Sequence, residues 1–255
     1  MTLHVDHLGP RPPRFAFLHG LLGRGRNWAP IARGLAGHGL GGLLVDLPDH
    51  GRSPWTDRFD YDDYADLVGD CLAGLLGGRR IILVGHSLGG KVAMRLALRR
   101  PELLDGLAVV DIGPQPSPGV REFAPALAAM ASLDFGTLAS RADADAALAP
   151  AAPDPAVRRL LLQNLAAAPA WHWQPNLALL ERSLDAIAGW PPTTGSAEQR
   201  VLWLLGGDSS LPCDDDAMRA LFPRAIRTVV SGAGHWVHAD QPQAVVDALL
   251  RFSRG

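Results

Sequence analysis

Residues 81–90 read Ile-Ile-Leu-Val-Gly-His-Ser-Leu-Gly-Gly, and Val92, Ala93, Leu96 and Ala97 follow at helical spacing. An apolar run, a sharp turn and a helix in this order constrain the fold more than anything else in the chain. A serine at such an apex has a strained backbone, and the residues two places either side lie where strand and helix nearly touch. Gly85 and Gly89 occupy those places. The turn lifts the Ser87 hydroxyl above the edge of a sheet and points the Leu88 N–H at the space beside it, over the positive end of a helix dipole. A tight βα turn with a serine cap is the plain alternative, so the rest of the chain has to supply a nucleophile's partners.

Arg14–Leu18 reads as a short strand that stops at His19-Gly20-Leu21-Leu22-Gly23. A glycine-rich loop after a strand turns backbone N–H groups toward a cavity, and Leu21 is the residue best placed to give a second oxyanion donor. Asn27 suits a cap for the helix carrying Trp28, Ile31 and Leu35. The strand Leu43–Val45 ends at Asp46–Ser53, a loop read as structural, in which Asp49 or His50 fits a left-handed turn position. Asp60 opens an amphipathic helix over 61–76, closed by Gly77-Gly78, and Leu107–Val110 is a strand that delivers Asp111.

From 113 to 198 the rhythm changes: Ala/Leu-rich helical segments alternate with prolines, and strand-like runs vanish. Alternation resumes with Val201–Leu205, a helix over 214–221, a strand over 226–230 and a last helix from Asp240, with Pro242 near its first turn. The expected organisation is an α/β core of residues 1–112 and 199–255, mostly a parallel sheet with helices on both faces, covered by an all-helical lid over 113–198. Such sheets take ligands beyond the carboxyl ends of their strands, where the polar junctions at His19, Asp46, Ser87 and Asp111 lie.

A formal charge of −2 on 255 residues gives no basic excess for nucleic acid, and no run is long enough to span a bilayer. Residues 1–13 read as a leader without a signal core, and a cytoplasmic location is expected. Cys71 and Cys213 make no disulfide framework; Cys71 falls on an apolar helical stripe. Lys91, the only lysine, sits near a helix N-terminus against the dipole, which predicts a carboxylate beside it.

Nine histidines compete to be the base for Ser87. His4 and His7 lie in the leader, His38 beyond a helix, His172 in the lid and His19 in the oxyanion loop. Strand alternation turns His86 away from the apex. His235 remains, in Ser231-Gly-Ala-Gly-His-Trp236, where small residues let the loop reach over the sheet; its rival, His238, starts the last helix and is expected to be exposed. For the carboxylate that orients the base, Asp111 and Asp208 both end strands in the order serine, acid, histidine, so spacing leaves both open. Phe123, Leu127, Met130, Phe135, Trp171 and Trp173 in the lid suit an apolar acyl pocket or the lid's own core.

His19–Gly23, Gly85–Met94, Val110-Asp-Ile-Gly-Pro114, Trp171-His-Trp-Gln-Pro-Asn-Leu177 and Gly232-Ala-Gly-His-Trp-Val-His238 resemble the α/β-hydrolases, and within them the YbfF-like esterase branch. The resemblance implies an α/β-hydrolase fold with the lid inserted after the sixth strand, and Asp111 ahead of Asp208 as the acid. Many other α/β-hydrolases take their acid one strand later, where their usual position falls on Ser209; the branch typically has Asn at 208 and Asn or Gly at 49. Ser87, His235 and the acid would be catalytic, with His19, Gly20, Leu21, Leu88, Trp171 and Trp236 around the oxyanion and substrate. The implied reaction is cleavage of a small-molecule acyl ester or thioester through an acyl-serine. Carbon–carbon bond hydrolysis, a quinone-pathway lyase step and a slow-turnover sensor are the alternatives. With no His-Glu-x-x-His and no Gly-x-Gly-x-x-Gly after a strand, no metal and no cofactor is expected.

Overall fold

The computed structural model describes residues 1–254. Its first half sets strands β1 (Val5–Leu8), β2 (Pro13–Leu18), β3 (Gly41–Val45), β4 (Ile81–His86) and β5 (Leu104–Val110) among helices α1 (Ala29–Ala36), α2 (Tyr61–Leu76) and α3 (Leu88–Arg99). The insertion holds α4 (Ala124–Ala131), α5 (Arg141–Leu148), α6 (Pro155–Leu162), the short strands β6 (Leu165–Ala166) and β7 (His172–Trp173), α7 (Leu177–Arg182) and α8 (Leu184–Ala188). The chain then closes with β8 (Val201–Gly206), α9 (Asp215–Leu221), β9 (Ala225–Val230), α10 (Val237–Asp240) and α11 (Pro242–Arg254).

Seven strands form one sheet in the order β1-β3-β2-β4-β5-β8-β9, parallel except for β1 at one edge. Period-two alternation divides the core between the faces. Phe15, Phe17, Ile82 and Val84 pack with Trp28, Ile31, Val246 and Leu249 of the α1 and α11 layer. Ala16, Leu18 and Leu83 pack with Tyr64, Val68, Val92 and Leu96 of the α2 and α3 layer. All six residues of β4 are buried, as a central parallel strand covered on both faces requires.

Several expectations are corrected here. Residues 5–8 are a strand, not a leader: all four are only half-buried, as on an antiparallel edge, so they lack a strong apolar signal. The insertion follows the fifth strand, not the sixth, because only β1 precedes β2. It is not all-helical either, since β6 and β7 pair antiparallel, and strands of two residues are too short to show alternation. Asn27 lies inside a 3₁₀ turn, where its Oδ1 accepts from Arg24 N at 2.7 Å, and α1 starts after it with Pro30 in its first turn. The last helix is two pieces, parted at Gln241.

Candidate active site

Ser87 sits between β4 and α3 at φ 52° and ψ −119°, a left-handed φ rare for a residue with a side chain. A Cβ on Gly85 would strike the Gly89 carbonyl, and one on Gly89 would stand 2.5 Å from His19 O, so both glycines are required for close approach. Lys91 N donates to Ser87 O at 3.0 Å and starts α3. Leu88, the first helical residue, keeps a backbone N–H with no intrahelical acceptor.

The loop after β2 comes up beside this apex, with a Cβ on Gly20 falling 3.3 Å from Ser87 Cβ. His19 is buried and fully engaged: Leu47 N donates to its Nε2 at 3.0 Å, so its Nδ1 carries the proton and donates to Gly20 O at 2.8 Å. Burial lowers it to about 3, so it stays neutral. Gly20 O also accepts from Gly23 N at 3.0 Å. In a trans peptide C=O and N–H point oppositely, so fixing Gly20 O turns Leu21 N–H the other way. Asp46 ties the neighbouring loops together, its carboxylate accepting from Gly25 N at 2.7 Å and Arg52 N at 2.9 Å.

At the end of β5, Asp111 is buried at φ 49°. Its Oδ1 accepts from Gly206 N at 2.8 Å; its Oδ2 accepts from Ser209 Oγ at 2.6 Å and pairs with His235 Nδ1 at 2.8 Å. With its Nδ1–H on the carboxylate, the half-exposed His235 has Nε2 as its basic atom. The ring of His86, the residue joined to Ser87, lies 4.6 Å from that of His235, and its Nε2 donates to His235 O at 2.8 Å. Asp208 is not brought in: it is exposed, and its backbone N–H donates to Ala233 O at 2.9 Å. Trp236 stands 5.9 Å from the His235 ring, half-buried. Trp171 is half-buried on the insertion, with the Arg141 guanidinium 6.0 Å over its ring. Trp173 is buried, its Nε1 donating to Met130 O at 2.7 Å, so Trp173 and Met130 pack as insertion core.

Two further expectations are overturned. His238 is buried, stacked on Trp28 at 4.4 Å, and burial lowers it to about 4; a polar residue in a four-residue helix gives no sign of which face it takes. Among the described residues Lys91 has no carboxylate partner. Its Nζ donates to Gly189 O at 2.7 Å and Ala188 O at 3.2 Å, the carbonyls at the end of α8, and burial lowers it to about 7. A helix C-terminus is negative, so it replaces the expected acid. Sequence reasoning also missed Ser209 as a donor to Asp111, His86 as the support of the His235 loop, and Asp49 as a hub. Asp49 sits in the left-handed region foreseen for that loop, at φ 63°.

A profile of the alpha/beta hydrolase family matches residues 15–248, nearly the whole of this arrangement. The chain belongs to that family. This hydrolase is 36% identical over 249 residues to the sn-1-specific diacylglycerol lipase ABHD11 of Mus musculus, covering 94% of this chain and 80% of that protein. To the esterase YbfF of Escherichia coli it is 30% identical over 239 residues, covering 92% and 91%. Among solved structures, a marine microorganism esterase superposes with a TM-score of 0.91 at 28% identity, covering 98% of this chain and 99% of that one. The hydrolase is thus an enzyme of the esterase type. None of its helices is long and apolar enough to cross a membrane among the described residues.

Proposed function

We propose that this hydrolase cleaves carboxylic esters or acyl thioesters through an acyl intermediate on Ser87. The observation that carries the reading is the 2.8 Å pairing of His235 with Asp111, made at the same sheet edge as a serine held at φ 52°. Asp111 is then the orienting acid, and Asp208 has no part in the reaction.

In this reading His235 Nε2 takes the Ser87 proton as the oxygen attacks the acyl carbonyl. The backbone N–H groups of Leu88 and Leu21 hold the oxyanion. The alcohol or thiol leaves with the proton from His235, and water, activated by the same imidazole, hydrolyses the acyl-enzyme. Asp111 accepts from the His235 Nδ1–H and stabilises the imidazolium as it forms. Residues 113–198 form the lid, and half-buried Phe123, Phe135 and Trp171, with Trp236 beside His235, favour an apolar acyl group. Two named relatives, a diacylglycerol lipase and an esterase, support the ester class.

Labelling with a fluorophosphonate and turnover of nitrophenyl esters test the proposal. The wild type is expected to label at Ser87 and to turn over many times, and Ser87→Ala to lose both while its unfolding transition is unchanged. Near-normal turnover by Ser87→Ala would reject the nucleophile, and labelling of the wild type without turnover would make the protein a ligand sensor.

A further inference from the structure

The turn that presents Leu21 does not support itself. Gly23 N closes it on Gly20 O at 3.0 Å, and its third residue is Leu22 at φ 57°, a position where turns of this kind ordinarily carry glycine. A leucine there is strained and relaxes toward negative φ unless something outside the turn holds it.

What holds it comes from the insertion. Asn164, between α6 and β6, is fully buried, and its Nδ2 donates to Leu22 O at 2.7 Å and to Leu160 O at 3.2 Å. The neighbouring Gln163 reaches Leu22 O only at 3.5 Å through its Nε2 and grips the next residues: its backbone oxygen accepts from Arg24 Nη1 at 2.7 Å, and its side-chain oxygen accepts from Asn27 Nδ2 at 2.8 Å. Asn164 Oδ1, by contrast, is buried with no hydrogen-bond partner among the described residues. A leucine would fill the same space without stranding an oxygen. What the amide adds is its donor to Leu22 O.

We propose that Asn164 is a positioning residue that completes the oxyanion hole from the lid. When the segment around 163–164 is seated, Leu22 is held at positive φ, the 20–23 turn keeps its shape, and Leu21 N–H faces the oxyanion. When it lifts, the turn relaxes and one of the two donors is lost, so lid docking and transition-state stabilisation are one event. This inference rests on the acyl-serine reading above.

Asn164→Leu tests it, since it keeps about the same size but removes the donor to Leu22 O. For hydrolysis of a nitrophenyl butyrate, kcat is expected to fall about tenfold or more, short of or equal to the loss of a whole oxyanion donor, with KM within about twofold. The inhibition constant of a trifluoromethyl ketone, whose adduct with Ser87 puts an oxyanion in the hole, is expected to rise by a factor matching the loss in kcat/KM. Unchanged kinetics, or a fall in kcat with ketone affinity intact, would overturn the proposal. If Asn164→Leu does not fold, Arg24→Met loosens the same grip from the core side. It is expected to give a smaller loss, about threefold, again matched in ketone affinity; no change in either would overturn the proposal. Ser87→Ala, assayed alongside, separates the two readings: if it retains turnover the acyl-serine reading falls, and if it is inactive while Asn164→Leu is normal only this inference falls.

Discussion

Asp111 receives three hydrogen bonds on two oxygens, from Gly206 N, Ser209 Oγ and His235 Nδ1, in a site closed to solvent. An amide in its place keeps the shape but turns an NH₂ toward one of these donors. The relief is for His235 to present an unprotonated Nδ1, and the proton then sits on Nε2, the atom that has to be basic. Asp111→Asn is therefore expected to lower kcat about 10³- to 10⁴-fold with little change in KM, the size seen when a triad histidine is forced into the wrong tautomer. Asp208→Asn is expected to stay within about twofold; steady-state assays of both variants decide the acid. The two strand ends look alike in the sequence. What separates them is that a serine at 209, where many relatives of the fold carry the acid, donates its hydroxyl to the carboxylate one strand earlier, and hydroxyl direction is not written in spacing.

Local sequence announced the elements wherever burial was strong and periodic. The elbow, the helix opened by Asp60 with its 2.8 Å cap to Asp62 N, and the parallel strands all follow from apolar patterning. Half-buried β1 and the two-residue β6 and β7 carry no such pattern, and the partners of buried polar groups lie far away in the chain. Asp49 is the strongest case. Buried at φ 63°, it accepts from Thr56 N at 2.8 Å, Thr56 Oγ1 and Tyr64 OH at 2.6 Å, and Asn176 Nδ2 at 2.9 Å, while its backbone oxygen accepts from Asn176 N at 3.0 Å. The hub thus bolts the start of α7 to the core. Asp49→Ala strands these donors and is expected to cost about 3 kcal/mol in urea unfolding, with faster proteolytic nicking within 113–198. Asp49→Asn keeps a side chain suited to the left-handed region and most of the bonds, and about 1 kcal/mol is expected.

Across the whole molecule, the unusual store of buried ionisable groups sets how stability follows pH. His19, His50, His86 and His238 are sealed inside, and burial keeps His19 at about 3, His238 at about 4, and His50 and His86 below the ordinary 6.5. As pH falls from 6.5, the unfolded chain binds protons that the fold refuses. Each such histidine removes about 1.4 kcal/mol per pH unit until its own folded value is reached, so together they take a large part of a typical stability of about 5–15 kcal/mol. On the alkaline side the sign is the same for Lys91, lowered from 10.5 to about 7: between those values the unfolded chain keeps a proton that the fold has released, so stability rises. Burial raises Cys71 and Cys213 from 9.0, the latter to about 11, and raises Tyr61 and Tyr64 from 10.0, so the slope reverses once the unfolded chain starts to lose those protons. The maximum is therefore expected near pH 9. Urea midpoints at pH 7 and 9 check it: the wild type should be more stable at 9, and Lys91→Met, which has no proton to lose, should show no gain. His238→Phe keeps the stacking face on Trp28 and gives up a ring whose Nδ1 has no partner among the described residues. Its acid limb should be shallower than that of the wild type by about one proton in four, and an unchanged slope would mean that His238 takes up its proton inside the fold.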